Sequence, residues 1–175
     1  MKRVLILAGL LIMATLSAAA QNSAVGFQLG VGQMTENGIE FDDFDDDVKE
    51  LYISFELDPG ATVFKLKGGQ IDTDNDILVG APGVAKEGNV DYVAAVIEYR
   101  FYEVFGSSAL FAGVGGYRQE FGTLKENDLG VTAGINALFP VTRRLGVLGE
   151  VGYHWINFDD QREILTGTLG LRFAF

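Results

Sequence analysis

The chain has 175 residues, enough for one domain, and it contains no cysteine and a single histidine, His154. This composition excludes disulfide frameworks, thiolate zinc sites and multi-histidine metal sites. The formal charge of -11 argues against nucleic acid as a partner, and 23 glycines and 13 phenylalanines beside 3 prolines favour many β-strands.

The first 20 residues are typical of a removable signal peptide. Lys2 and Arg3 form a charged segment, residues 4–16 are apolar, and the small residues at 17–20 suit cleavage after Ala20. An uncleaved anchor helix is the alternative, but the apolar stretch is short for a membrane span. We therefore expect export from the cytoplasm, with residues 21–175 as the mature domain.

From residue 24 onward, apolar residues recur at every second position rather than at helical spacing. The pattern predicts eight strands, at about residues 24–35, 50–58, 61–71, 90–102, 109–121, 129–139, 145–156 and 163–175. An even number of strands with alternating faces predicts a closed, antiparallel, up-and-down barrel.

The direction of the apolar face separates two kinds of barrel. In a soluble barrel it points inward, whereas in a membrane barrel it meets lipid and polar side chains fill the lumen. Connections at 58–61, 103–108 and 140–144 are short, while those at 36–49 and 72–89 are long. This alternation favours the membrane barrel, although the connections at 122–128 and 157–162 are only moderate in length.

Aromatic residues assigned to the apolar face are predicted to form two rings, one at each edge of a bilayer. If the chain starts in the periplasm, the periplasmic ring consists of Phe27, Phe55, Phe64, Phe101, Phe111, Phe139 and Phe173. The opposite ring consists of Tyr117, Tyr153 and Trp155. Small residues assigned to the same face would pack a soluble core badly but can face lipid: Gly113, Gly115, Ala133 and Ala137.

The signal peptide, the eight alternating segments and the last strand, Leu169-Gly-Leu171-Arg-Phe173-Ala-Phe175, resemble small outer-membrane barrels of Gram-negative bacteria, the OmpA/OmpX type. The resemblance implies that Leu171, Phe173 and Phe175 form the signal presented to the barrel-assembly machinery. It also implies a monomer in the outer membrane, in contact with its lipid and lipopolysaccharide.

Charged residues on the polar face are predicted to fill the lumen, because an eight-stranded barrel is just wide enough for side chains. The predicted set is Glu56, Lys65, Lys67, Glu98, Arg100, Arg118, Glu120, Glu150, His154 and Arg172. Buried charges persist when they are paired, so a structural ionic network that plugs the barrel is favoured. A narrow ion path remains the functional alternative.

Two predicted loops are strongly acidic: residues 36–50 hold eight acids and one base, and residues 71–91 hold five acids and one base. Such loops suit weakly bound divalent cations or a basic partner, and a solvated loop is the simpler alternative. The candidate cation ligands are Asp42, Asp43, Asp45, Asp46, Asp47, Asp72, Asp74 and Asp76. No other cofactor is expected.

Enzymatic functions find little support in the sequence. A lipid A deacylase of the barrel type needs a His-x-Ser pair on the lipid face, but His154 is assigned to the lumen and the residue two positions later, Ile156, has no hydroxyl. We therefore predict a non-enzymatic outer-membrane barrel with a structural or surface-interaction role. A narrow diffusion channel and a soluble periplasmic ligand-binding barrel are the alternatives.

Overall fold

A computed structural model describes residues 23–36, 39–40, 46–57, 61–73, 88–103, 106–121, 124–157 and 162–175. The predicted signal peptide lies outside these residues. Within the described ranges, no helix is long and apolar enough to span a membrane.

The described chain is built of antiparallel strands. Their bounds are β1 (Ser23–Glu36), β2 (Ile39–Glu40), β3 (Asp46–Glu56), β4 (Thr62–Thr73), β5 (Gly88–Glu103), β6 (Gly106–Phe121), β7 (Leu124–Pro140), β8 (Leu145–Ile156) and β9 (Arg162–Ala174). The two-residue β2 pairs only with the end of β1 among the described residues, and the other eight strands form the wall.

The sheet closes because β1 pairs with both β3 and β9. A line drawn around the barrel through directly paired inward residues starts at Ala24 and returns to β1 at Met34, ten residues further along the chain. It runs through Ser54, Lys65, Val96, Gly113, Thr132, His154 and Ile164. This stagger tilts the strands against the barrel axis. The predicted eight-stranded antiparallel barrel is confirmed.

We call the end that carries Ser23 and Phe175 the lower end and the opposite end the upper end. At the upper end the strands run further than predicted: β3 begins at Asp46 and β7 at Leu124. Much of the predicted loop at 122–128, and the last part of the acidic segment 36–50, are therefore strand.

The outside of the barrel changes character along its height. A continuous row of outward polar residues crosses five strands and is here called the boundary row: Lys49, Gln70, Asp91, Arg118 and Asn127. The next outward row below it is apolar or glycine: Leu51, Gly68, Val93, Gly116 and Leu129. Below this level large apolar side chains stay exposed, among them Ile97, Leu110, Ile135, Val151 and Leu171. Soluble proteins rarely expose so large an apolar surface, and lipid is the environment that suits it.

The predicted faces of β6 are wrong. Phe111 and Tyr117 point into the lumen and are 5% and 1% exposed, whereas Arg118 points outward with a half-exposed side chain beside Glu120. Both faces of β6 carry apolar residues, so alternation alone did not fix which one faces lipid. Gly113 and Gly115 consequently belong to the lumen side as well.

The other predicted ring members keep their outward positions. Phe27, Phe101, Phe139 and Phe173 are exposed toward the lower end, and Tyr153 and Trp155 are exposed toward the upper end. Phe64 is half-buried on the same side. Phe55 also occupies an outward register position, opposite Phe64, but it is only 6% exposed. It therefore offers little aromatic surface to lipid.

Candidate functional site: the lumen and the upper rim

Two lysines form the centre of a buried ionic network in the lower lumen. Lys65 pairs with Glu98 and lies 3.8 Å from a Glu150 carboxylate oxygen. Lys67 donates a hydrogen bond to Glu150 and lies 3.1 Å from Glu50. One carboxylate, Glu150, thus serves both ammonium groups, and all these side chains are almost completely buried.

Arginines extend the network toward the lower end. The Arg100 Nε donates to Glu98 over 2.6 Å, and its Nη1 donates to Glu56 over 2.9 Å. The Nη2 atom of Arg172 lies 4.0 Å from the same Glu56 carboxylate oxygen, Oε1. The amide of Asn136 donates to the second oxygen of Glu98 over 2.8 Å. Charges, amide and carboxylates therefore form one connected chain along the lower lumen.

The network is balanced in charge among the described residues of the lower lumen. Its four cations are Lys65, Lys67, Arg100 and Arg172, and its four carboxylates are Glu50, Glu56, Glu98 and Glu150. The predicted lumen set lacks Glu50, which begins the predicted strand 50–58 but is counted there with the acidic segment 36–50. The signal was available, because Glu50 continues the inward alternation of Tyr52, Ser54 and Glu56.

Two members of the predicted lumen set are not in the lumen. Arg118 and Glu120 pair with each other on the outside of β6, where Lys125 donates a second hydrogen bond to Glu120 over 2.9 Å. Their places in the lumen are taken by Phe111, Tyr117 and Gln119. This correction follows directly from the reversed faces of β6.

Aromatic rings fill the lumen beside the charges. The Lys65 ammonium lies 4.9 Å from the centre of the Tyr52 ring, and the Lys67 ammonium lies 5.4 Å from that of Phe111, both cation–π distances. The Tyr92 hydroxyl donates to Glu50. Four lumen rings lie against inward glycines of neighbouring strands, in the pairs Tyr52–Gly26, Tyr92–Gly69, Phe111–Gly134 and Tyr117–Gly130.

His154 belongs to this aromatic part of the lumen. It is completely buried, and its Nδ1 lies 2.9 Å from the Tyr117 hydroxyl. Its ring also packs against Tyr92. Among the described residues, the hydrogen-bond partner of His154 is therefore the Tyr117 hydroxyl.

An apolar layer closes the lumen above the charges. It consists of Met34, Val48, Ile71, Val90, Ile156 and Ile164, each at most 2% exposed. Val48, Ile71 and Val90 share one inward row, directly above the boundary row. In the upper barrel large apolar side chains therefore face inward, the reverse of the lower barrel, although Asp46, Gln119 and Arg162 are buried there as well.

The predicted cation ligands are dispersed. Asp42, Asp43, Asp45, Asp74 and Asp76 lie outside the described residues. Asp46 is completely buried at the start of β3, which corrects its assignment to a loop. Asp72 accepts a hydrogen bond of 2.6 Å from Lys49, and Asp47 is exposed on β3. In the described part of the chain, no three acidic, histidine or cysteine side chains are grouped as a metal site.

No protein-family model matches the chain, and no curated protein matches it. Solved structures do match. Neisserial surface protein A (NspA) is 12% identical with a TM-score of 0.69, covering 87% of this chain and 97% of NspA. The chain has the fold of the small outer-membrane β-barrels. This confirms the resemblance drawn from the sequence.

Two further structures support the same fold. Ail, the attachment invasion locus protein of Yersinia pestis, in complex with the heparin analogue sucrose octasulfate, is 15% identical with a TM-score of 0.60, covering 88% of this chain and 98% of Ail. The N-terminal β-barrel domain of Pseudomonas aeruginosa OprF is 14% identical with a TM-score of 0.52, covering 87% of this chain and 97% of that domain.

Proposed function

We propose that the protein is a non-enzymatic barrel of the bacterial outer membrane. Its sealed lumen serves as a structural support, and its upper rim and acidic loops meet partners outside the cell. The observation that carries this proposal is the filled lumen inside an apolar exterior. The barrel-assembly signal at Leu171, Phe173 and Phe175 and the monomeric state belong to the same proposal.

Two successive seals argue against free passage of ions. In the lower lumen, each charged group already has an opposite charge within 4.0 Å, so an ion must break existing pairs. Above them, the layer around Ile71, Val90 and Ile164 is apolar, and the Arg162 guanidinium buried beside it donates to the Met34 sulfur over 3.6 Å. Hydrophobic constrictions of this kind close channels by excluding water.

A narrow channel remains the second candidate, and one observation favours it. Glu150 is shared by Lys65 and Lys67, so neither lysine depends on this carboxylate alone and the pairs can exchange partners around a passing ion. A soluble periplasmic barrel fits less well, since Leu51, Val114 and Leu129 are each more than 60% exposed. An apolar belt of this size in water promotes aggregation.

The loop charges favour cationic partners. Between the strands that form the wall, residues 37–45 carry four acids and no base, and residues 74–87 carry three acids and one base. Ail was solved with a sulfated ligand, and loops as acidic as these would repel such a polyanion. We therefore include basic polypeptides or divalent cations among the proposed partners. Replacing Asp42, Asp43 and Asp45 by Asn should weaken calcium binding measured by titration calorimetry.

Planar-bilayer recording tests the sealed lumen. The mature chain is refolded in detergent, and folding is verified by the gel shift between unheated and boiled samples. We expect no stable conductance steps from the wild type. The double variant Lys67→Ser, Glu150→Ser should also stay silent because the apolar layer remains. Adding Ile71→Ser and Ile164→Ser should produce steps, whereas steps from the wild type would favour the channel.

A further inference from the structure

The apolar belt on the outside of the barrel has different heights on opposite sides. On the side formed by β3 and β4, here called the short side, each strand carries three outward apolar residues or glycines: Leu51, Ile53, Phe55, Phe64, Leu66 and Gly68. On the side formed by β7 and β8, here called the tall side, each strand carries six: Leu129, Val131, Ala133, Ile135, Ala137, Phe139, Leu145, Val147, Gly149, Val151, Tyr153 and Trp155. One more exposed apolar residue follows β3 and β7 alike, Leu57 and Val141, so the difference between the sides persists.

The stagger of the barrel causes this difference at the upper edge of the belt. A row of paired residues climbs ten residues in one full circle from Ala24 to Met34. The boundary row runs half of that circle, from Lys49 on β3 to Asn127 on β7, and therefore climbs about five residues. With about 3.3 Å per residue and a strand tilt of about 40°, Asn127 stands about 12 Å above Lys49 along the barrel axis.

The lower edge of the belt does not climb in the same way. Followed across β4, β5 and β6, the register leads from Phe55 on β3 to Ala133 on β7. Phe139 lies six residues below Ala133, which offsets the climb and brings Phe139 to about the height of Phe55. The belt is therefore a wedge, with a height of about 15 Å on the short side and about 30 Å on the tall side.

The polar groups above the short side are exposed to solvent. The Lys49 ammonium donates a hydrogen bond of 2.6 Å to Asp72, one outward row higher, and the two side chains are 49% and 34% exposed. At the height of Lys49, the tall side presents Val131 and Ala133. A flat bilayer that covers Val131 would therefore also cover this ion pair, and charges on the lipid face of a barrel are destabilising.

Tilting the whole barrel does not remove the mismatch. A tilt that lifts Lys49 to the membrane surface lowers the opposite wall by a similar distance. Phe139 and Val141, which are 57% and 61% exposed, would then leave the hydrocarbon layer. A belt that is too short for its bilayer is otherwise accommodated by snorkelling, by association or by thinning of the bilayer. Lys49 already points upward to Asp72, so snorkelling offers little more.

We propose that the barrel thins the outer membrane locally beside β3 and β4. Lipid head groups descend there to the level of Lys49 and Gln70, while the bilayer keeps its ordinary thickness beside β7 and β8. The short side is then the place where a polar group crosses the hydrocarbon layer over the smallest distance. This inference rests on the proposed placement of the barrel in the outer membrane, with its upper end outside.

Two leucines provide matched positions for a depth probe. Leu51 on the short side and Leu129 on the tall side belong to the same register row, directly below the boundary row, and are 63% and 73% exposed. The sequence has one tryptophan, Trp155, so Trp155→Phe combined with Leu51→Trp or with Leu129→Trp gives a single probe on either side. Each variant is refolded into phosphatidylcholine vesicles brominated near the head group, at mid-chain or near the chain end. Relative quenching by the three lipids gives the depth of the tryptophan.

We expect both probes at the same shallow depth, within about 3 Å, because the membrane surface follows the boundary row. In an undeformed bilayer, Leu51→Trp would lie about 12 Å deeper than Leu129→Trp and would be quenched best by the chain-end bromines. That result overturns the proposal. Shallow quenching of Leu51→Trp together with no quenching of Leu129→Trp would mean a uniformly thin bilayer and overturns it as well.

Extending the short side provides a second test. The double variant Lys49→Leu, Gln70→Leu adds one apolar row, so the probe at Leu51→Trp should move about 5 Å deeper. The control Lys49→Gln, Gln70→Asn keeps the row polar and should leave the depth of the probe unchanged. Equal depths in the two backgrounds would show that the boundary row does not set the membrane surface, which overturns the proposal.

The remaining outcomes separate thinning from its alternatives. Phe139→Trp, again with Trp155→Phe, should be quenched by the bromines near the head group, and loss of this quenching would show a tilted barrel and overturn thinning. Quenching of Leu51→Trp that disappears as protein density rises would show that two copies meet at their short sides, and it also overturns thinning. Absence of quenching of Trp155 in the wild type contradicts the membrane placement itself.

Discussion

The lower and upper parts of the barrel place their apolar side chains on opposite faces. On β5, Val93 and Ile97 point outward below the boundary row, whereas Val90 points inward above it. The strand itself is continuous through this change. Which face is apolar therefore depends on the surroundings: lipid outside the lower barrel and water outside the upper barrel. A β-strand needs no break to pass from one medium to the other.

The two parts are consequently held together by different interactions. The lower lumen depends on paired charges around Lys65 and Lys67, and losing one partner leaves an uncompensated ion. The upper lumen depends on apolar packing around Val90 and Ile164. The lower part should be most sensitive to removal of a charge, and the upper part to insertion of one.

The largest effect is expected from Val90→Asp, which inserts a carboxylate into the apolar layer. The side chain is completely buried, so the free energy of unfolding should fall by about 4 kcal/mol. Urea unfolding of the refolded barrel in detergent measures the change. The outward Val93→Asp, next to the polar boundary row, should cost only about 1 kcal/mol. Equal losses in the two variants would contradict the reversal. If Val90→Asp does not fold, Val90→Thr should still lower stability measurably.

A smaller effect is expected from neutralising a carboxylate that pairs with two cations. The barrel has one such carboxylate in the buried lumen and one at the exposed rim. Glu150→Gln leaves Lys65 and Lys67 buried with less negative charge and should cost about 3 kcal/mol. Glu120→Gln removes the same kind of group from between Arg118 and Lys125 at the exposed rim and should cost less than about 1 kcal/mol. The two unfolding curves should differ clearly in midpoint. Similar midpoints would mean that the lower lumen is hydrated.

The smallest of the three effects comes from adding one methyl group. A Cβ at inward Gly26 overlaps the Tyr52 ring, so Gly26→Ala should cost about 2 kcal/mol. Gly116→Ala, on the outside, should change stability by less than about 0.5 kcal/mol. The double variant Gly26→Ala, Tyr52→Leu relieves the overlap and should lose less than the sum of its single changes. Additive losses would show that Tyr52 does not lie on Gly26.

The sequence predicted the lower barrel well because lipid and a polar lumen impose opposite demands on successive residues. Along β5, Glu98 and Arg100 alternate with Ile97 and Tyr99, and this contrast indicated both the strand and its faces. On β6 the contrast is missing, since Leu110 and Phe111 are both apolar. The partners of β6 decide its faces, because Phe111 needs the space above Gly134 on β7. That information lies in another strand.

The upper ends of β3 and β7 were predicted too short for a different reason. Above the boundary row the alternation continues with its polarity reversed, as at Asp91, Val90 and Asn89. Such a stretch contains as many polar residues as a loop does. Asp46 and Asp47 are therefore predicted as loop, and Glu50 is counted with them as acidic segment although it is a buried partner of Lys67. Continuing the inward alternation of β3 past its last outward apolar residue would have included it.

Thiol accessibility on either side of the boundary row tests the reversal of polarity most directly. The chain has no cysteine, so Asp91→Cys, Val93→Cys and Val90→Cys each introduce a single thiol. In lipid nanodiscs, a charged maleimide should label Asp91→Cys rapidly and leave the other two protected until the barrel is unfolded. Labelling of Val93→Cys as fast as Asp91→Cys would contradict the membrane boundary, and rapid labelling of Val90→Cys would contradict the sealed lumen.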